Sequence, residues 1–258
     1  MRRSVLALLL MAVAVSGCYG KVLPVNDAAP TDCGQTRILM EGDSLLDWTY
    51  PAIIKAFRTA GYDEDKVKFQ VSAYGGSNVH EYVLWFHAPL DHTLTPITEL
   101  QYQLDTFHPD VVFASWGMAK LDSLYDAGLG WLMPWVVSKD MQTMKTMVEA
   151  SGAKLFWATM PVRGATDDPA LNDYVNNTVN GLIHNLGVPL VDWRAAVAPE
   201  DGDVYAEFLK LHEDEAVHPI RWWDGIHFAD AGIARVAQQT LHDLAPVACK
   251  PVTEPATP

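Results

Sequence analysis

A serine directly after an acid, where an apolar run breaks, is the first place in this 258-residue chain where chemistry is possible. The run Ile38-Leu39-Met40 is too short for a helix and leads into Glu41-Gly42, so it reads as a buried strand entering a turn that carries Asp43 and Ser44. A serine there is either a helix cap or a nucleophile. As a nucleophile it needs a base, and the base needs an orienting acid. Near the other end, Arg221-Trp222-Trp223-Asp224-Gly225-Ile226-His227 contains both. Asp224 and His227 are three residues apart just before a helical pattern, a spacing that puts two side chains on one side of a turn. Asp224 would fix the imidazole tautomer and leave the other ring nitrogen to take the Ser44 proton. Asp43 reads as a brace for the turn.

The nine histidines form no metal pattern. His80-Glu81, His87 with Asp91-His92, and His212-Glu213 lack the H-x-x-x-H spacing that places two ligands on one helix face, so neither a metal nor another cofactor is expected. Trp222 and Trp223, with Trp48, Trp116, Trp131 and Trp135, are candidates for a platform under a sugar ring or acyl chain, and core packing explains them equally well. Met141, Met144 and Met147 recur at helical spacing and read as core.

Five short β-rich apolar runs must position these groups: residues 37–41, 67–73, 110–116, 154–159 and 188–193. Each reads as a strand buried on both faces, and helical patterns alternate with them. The expected fold is therefore α/β, a parallel sheet between two helical layers, with Ser44 at the carboxyl end of the first strand, where such sheets bind ligands. One helix is expected to start at Pro51 and stop at Gly61, another to run from Asp168-Pro169 to Gly187, and the last from Asp230 to Pro246. Stretches 80–109 and 122–140 are longer than ordinary connections and read as insertions around a site.

The ends locate the chain. Arg2-Arg3 precede an apolar run and then Val15-Ser16-Gly17-Cys18, a secretory leader over 1–17 too short to be a permanent span. Val-Ser-Gly-Cys resembles a bacterial lipobox, which implies lipidation of Cys18 and an exported, membrane-anchored protein. Tyr19 after that cysteine is not an inner-membrane retention acid, which favours the outer leaflet or outer membrane. Residues 18–32 read as a flexible tether, 33–250 as one domain, and 251–258 as a disordered tail. The two remaining cysteines, Cys33 and Cys249, flank the domain and are expected to form a disulfide. The formal charge is −14, and removing the leader deepens it by the loss of Arg2 and Arg3. So acidic a surface argues against nucleic acid and anionic lipid as partners.

Together these residues resemble the SGNH, or GDSL, hydrolases. Gly42-Asp43-Ser44-Leu45 matches the nucleophile block, Asp224-Gly225-Ile226-His227 the terminal block, and Gly75-Gly76 the block whose glycine N–H joins that of Ser44 in an oxyanion hole. The resemblance spans the whole domain and implies a flavodoxin-like three-layer α/β/α sandwich with five parallel strands and a serine esterase activity. One block departs: after the third strand, where the family has G-x-N-D, this chain has Gly117-Met118-Ala119-Lys120. Ala119 stands where the oxyanion Asn is expected, and Asn78 or Lys120 would have to substitute. Losing such a donor costs about a hundredfold in rate or more. This departure resembles that of exported SGNH domains associated with membrane O-acyltransferases.

The expected function is hydrolysis of short-chain, carbohydrate-linked acyl esters, with Asn78, Trp116, Lys120, Trp222 and Trp223 contacting substrate. Two alternatives stay open: transfer of the acyl group to a cell-surface glycan, or a catalytically impaired glycan-binding domain.

Overall fold

The computed structural model describes residues 18–84, 86–87, 97–116, 130–164 and 173–250. The leader, the tail, Lys120 with Ala119 and Gly117, and the expected helix start at Asp168-Pro169 lie outside the described residues. Five parallel strands form the central sheet in the order β2-β1-β5-β6-β7, where β1 is Thr36–Gly42, β2 Val67–Ala73, β5 Val111–Ser115, β6 Lys154–Ala158 and β7 Leu190–Val191. Two-stranded antiparallel pairs are formed by β3 (Phe86–His87) with β4 (Ile97–Thr98), and by β8 (Phe208–Lys210) with β9 (Val217–Pro219). The helices are α1 (Ser44–Thr59), α2 (Val79–Leu84), α3 (Glu99–Phe107), α4 (Met133–Ala150), α5 (Asn180–Asn185), α6 (Trp193–Ala196) and α7 (Asp230–Leu244). α1 packs on α7, while α2, α3, α4 and α5 pack among themselves, so both faces of the sheet are covered.

The central strands are apolar because both faces are buried: Ile38, Leu39, Met40, Val112 and Phe113 are inaccessible to solvent. Met141 and Met144 are core, as their spacing predicts. Some boundaries differ from the sequence reading. α1 begins at Ser44, not Pro51, because the Asp43 carboxylate caps it by accepting from the Leu45 N–H at 3.0 Å. Pro51 sits inside the helix on an exposed face, where the carbonyl it leaves unpaired can meet water. The last helix starts at Asp230, as expected, directly after its N-cap residue Ala229. The fifth strand shrinks to two residues, and α5 is entered through a π-helical turn, Tyr174–Val179.

Cys33 and Cys249 form a disulfide with Cα atoms 5.1 Å apart. It joins the approach to β1 to the end of the last helix, beside a Gly34 N–H bond to the Lys250 carbonyl.

Residues 19–32 do not run free as their composition predicts. They form a strap laid on the domain. Gly20 N–H donates to the Lys210 carbonyl at 3.0 Å, and Arg235 and Gln238 of α7 donate to the carbonyls of Lys21 and Pro24. Leu23 is buried in the core. One apolar anchor and satisfied backbone groups outweigh a polar, Pro-containing composition.

Candidate active site

Local geometry forces Ser44 into the open. A Cβ on Gly42 would lie 2.5 Å from the Ser115 carbonyl oxygen, so only glycine lets β1 pass β5 this closely before turning. Asp43 N–H then donates to that same carbonyl at 3.1 Å, and α1 starts at once. Ser44 is thus the first residue of the helix, where backbone N–H groups lack intrahelical partners.

The turn before α7 faces it. His227 Nε2 lies 2.8 Å from Ser44 Oγ, and Asp224 Oδ2 lies 2.7 Å from His227 Nδ1. Asp224 Oδ1 accepts from the N–H groups of Ile226 and His227 at 2.8 and 3.0 Å. Partial burial pushes the Asp224 carboxyl up, but the bond from His227 and the two backbone bonds outweigh it and hold the group below its ordinary value. Asp224 is therefore a fixed anion aimed at one nitrogen of an imidazole whose other nitrogen meets a hydroxyl. That geometry suits proton transfer from Ser44 to His227.

Sequence reasoning missed Arg221. It is almost fully buried, and its guanidinium donates to the carbonyls of Ile226 at 2.7 Å and Val162 at 3.0 Å, tying the Asp224–His227 turn to the segment after β6. Burial pushes its pKa down to about 10, against the raising influence of Tyr205 and Asp224. The only signal in the sequence is an arginine beside an apolar residue immediately before the Trp-Trp-Asp run.

Beside Ser44, Tyr74 to Ser77 make a tight turn closed by the Ser77 N–H on the Tyr74 carbonyl at 3.0 Å. Gly76 has φ +79°, the conformation required at the third position of a type II turn. Gly75 lies against Ser44, since a Cβ built on it would sit 3.9 Å from Ser44 Cβ. Ser77 Oγ donates to the Gly42 carbonyl at 3.0 Å, locking this turn to the Gly42–Ser44 turn.

The expected substrate contacts separate. Trp116 is core: its ring packs at a tilt against Tyr82, and its indole N–H donates to Ser77 Oγ at 3.4 Å, so it braces the glycine turn from behind. Asn78 caps α2, its Oδ1 accepting from the Glu81 N–H while Glu81 Oε2 accepts from the Asn78 N–H. Trp222 and Trp223 are exposed, Trp223 at 86 %. Trp48 stacks on His227 with centroids 4.4 Å apart, and Trp222 meets Trp48 edge-on at 5.5 Å. Trp131 and Trp135 are exposed where α4 begins, and Trp135 lies under Lys139. Among the described residues, no three His, Cys, Asp or Glu side chains converge as metal ligands. No described helix is long and apolar enough to cross a membrane.

Residues 137–243 match a family described as "Protein of unknown function (DUF459)"; this segment includes Asp224 and His227 but not Ser44. No curated protein matches the sequence. Solved structures do match by shape. A GDSL-like lipase of Bacteroides thetaiotaomicron superposes with a TM-score of 0.51 at 12% identity, over 82% of this chain and 89% of its own. An acetylxylan esterase of Geobacillus stearothermophilus gives 0.54 at 14%, over 83% and 96%. A putative acylhydrolase of Bacteroides fragilis gives 0.52 at 12%, over 88% and 92%. With its five-stranded parallel sheet between helices, this chain has the fold of the SGNH, or GDSL, hydrolases.

Proposed function

We propose that this protein is an exported, lipid-anchored serine esterase that hydrolyses short-chain acyl esters of carbohydrates. The observation that carries the reading is the unbroken line from Asp224 through His227 to Ser44, at 2.7 and 2.8 Å. Ser44 Oγ attacks the ester carbonyl as its proton passes to His227 Nε2, and Asp224 stabilises the imidazolium. The N–H groups of Ser44 and Gly75 receive the oxyanion. His227 then protonates the leaving alcohol, and water repeats the sequence to free the acid.

The side that His227 occupies supports the substrate class. The leaving alcohol must lie within reach of Nε2, next to the Trp48–Trp222 rings and exposed Trp223. The exposed faces of Trp222 and Trp223 suit a sugar ring there, whereas the acyl group points toward the Gly75 turn. The acetylxylan esterases among the structural neighbours support a sugar-ester reading. Export is supported by the leader, the exposed Cys18 and the disulfide.

The test compares an acetylated oligosaccharide with p-nitrophenyl octanoate, with and without a free glycan acceptor. The reading expects release of acetate, preference for the sugar ester, and no acyl-glycan product. Acyl-glycan formation at the expense of acetate would make the protein a transferase instead.

A further inference from the structure

The reaction uses both edges of the His227 ring, and its face is occupied too. The Trp48 indole lies over the imidazole with centroids 4.4 Å apart and planes 22° from parallel. Trp48 is one helical turn beyond Ser44 on α1, so the helix that supplies the nucleophile also covers the base. Trp222 closes the arrangement: its ring meets Trp48 edge-on, and its backbone N–H donates to the His227 carbonyl at 2.9 Å. The groups facing the imidazole are thus the Asp224 carboxylate, the Ser44 hydroxyl and the Trp48 face, with the Arg221 guanidinium bonded behind the same turn.

We propose that Trp48 is a positioning residue for His227, holding the imidazole between Asp224 and Ser44 and stabilising its protonated form through the indole face; this rests on the serine-esterase reading. Indole is the strongest aromatic partner for a cation, and a centroid distance of 4.4 Å is inside the range for that attraction. The need is greatest in the second half of the reaction. Once Ser44 is acylated, its oxygen has no proton to share with Nε2, and the ring keeps only Asp224 and Trp48. Water oxygen then bonds to the acyl carbon while its proton passes to Nε2. As the carbon–Oγ bond breaks, that proton returns to Ser44 Oγ and the carboxylic acid departs.

The test measures p-nitrophenyl acetate turnover by Trp48→Leu and Trp48→Phe beside the wild-type chain and Ser44→Ala. Trp48→Leu is expected to lower kcat about ten- to thirtyfold with KM little changed, by slower decay of the acyl-enzyme after the burst. Trp48→Phe, which keeps a ring, should recover most of that loss. A Trp48→Leu variant with full kcat, or with only KM raised, overturns the proposal and makes Trp48 a substrate platform. Activity that survives in Ser44→Ala overturns the esterase reading instead.

Discussion

The guanidinium of Arg221 donates to the carbonyl of Ile226, in the middle of the turn whose ends are Asp224 and His227. The relationship explains how two exposed-looking residues before a helix are held in place: the turn hangs from a buried cation that also grips Val162. Arg221→Met would leave both carbonyls without a donor, at about 1–3 kcal/mol for each unsatisfied group. Removing a buried charge offsets part of this, so a loss of about 2–4 kcal/mol in unfolding free energy is expected. Residual kcat measured well below the melting transition should also fall at least about tenfold, since a small displacement of the base is costly. Denaturant unfolding with kinetics on the same sample checks both. Full activity in a destabilised variant would mean that the turn holds itself.

Glu41 is a second consequence of strand burial. It lies on β1 immediately before Gly42, has no exposed surface, and among the described residues neither carboxylate oxygen has a hydrogen-bond partner. Burial, with added repulsion from Glu99, raises its pKa well above the ordinary value. A carboxyl raised in the folded state stabilises the fold fully below the unfolded pKa, about 4.3, and that contribution is lost as pH rises toward the folded value. Glu41→Gln removes the titration. Its melting temperature relative to wild type should therefore climb between pH 4 and pH 8. An offset equal at both pH values would contradict a neutral, buried Glu41.

The strap makes a prediction about the N-terminal segment. Leu23 is its apolar anchor, and burying such a side chain contributes about 1.5–3 kcal/mol. Leu23→Asp should detach residues 19–32 and leave the domain folded, so limited proteolysis would cut there first while esterase turnover stays at the wild-type level. Equal cleavage of the strap in both proteins would mean that it is not docked in solution. If Cys18 carries lipid, a docked strap also leaves no slack between anchor and domain, because the Cys18 carbonyl already accepts from the Lys210 N–H.

Much of this was legible from residue types. The apolar runs of β1, β5 and β6 were visible because strands buried on both faces need no alternation, and the Ser44, Asp224 and His227 positions because they sit at strand and helix ends; β2 departs from that reading, because it lies at the sheet edge with Lys68 exposed and Phe69, Gln70 and Val71 only half-buried. What escaped was decided by tertiary neighbours. Pro51 outranked Asp43 as a helix start only while the capping bond was invisible. Trp116 and Trp222 look alike in sequence, yet one packs behind a turn and the other faces solvent. Strap residues 19–32 have a linker's composition, and tertiary partners make them ordered: Arg235 and Gln238 of α7, the Lys210 and Ala60 carbonyls, and the core around Leu23. Arg221 and Glu41 are charged residues whose sequence context does not announce burial.

The central claim is that Ser44 is a nucleophile activated by His227. It is tested most directly by fluorophosphonate labelling of the purified chain beside Ser44→Ala, with the modified peptide identified by mass spectrometry. The account predicts one adduct, on Ser44, absent from Ser44→Ala and accompanied there by loss of p-nitrophenyl acetate turnover. A folded wild-type chain that neither labels nor turns over would contradict it and leave a binding domain built on a hydrolase fold.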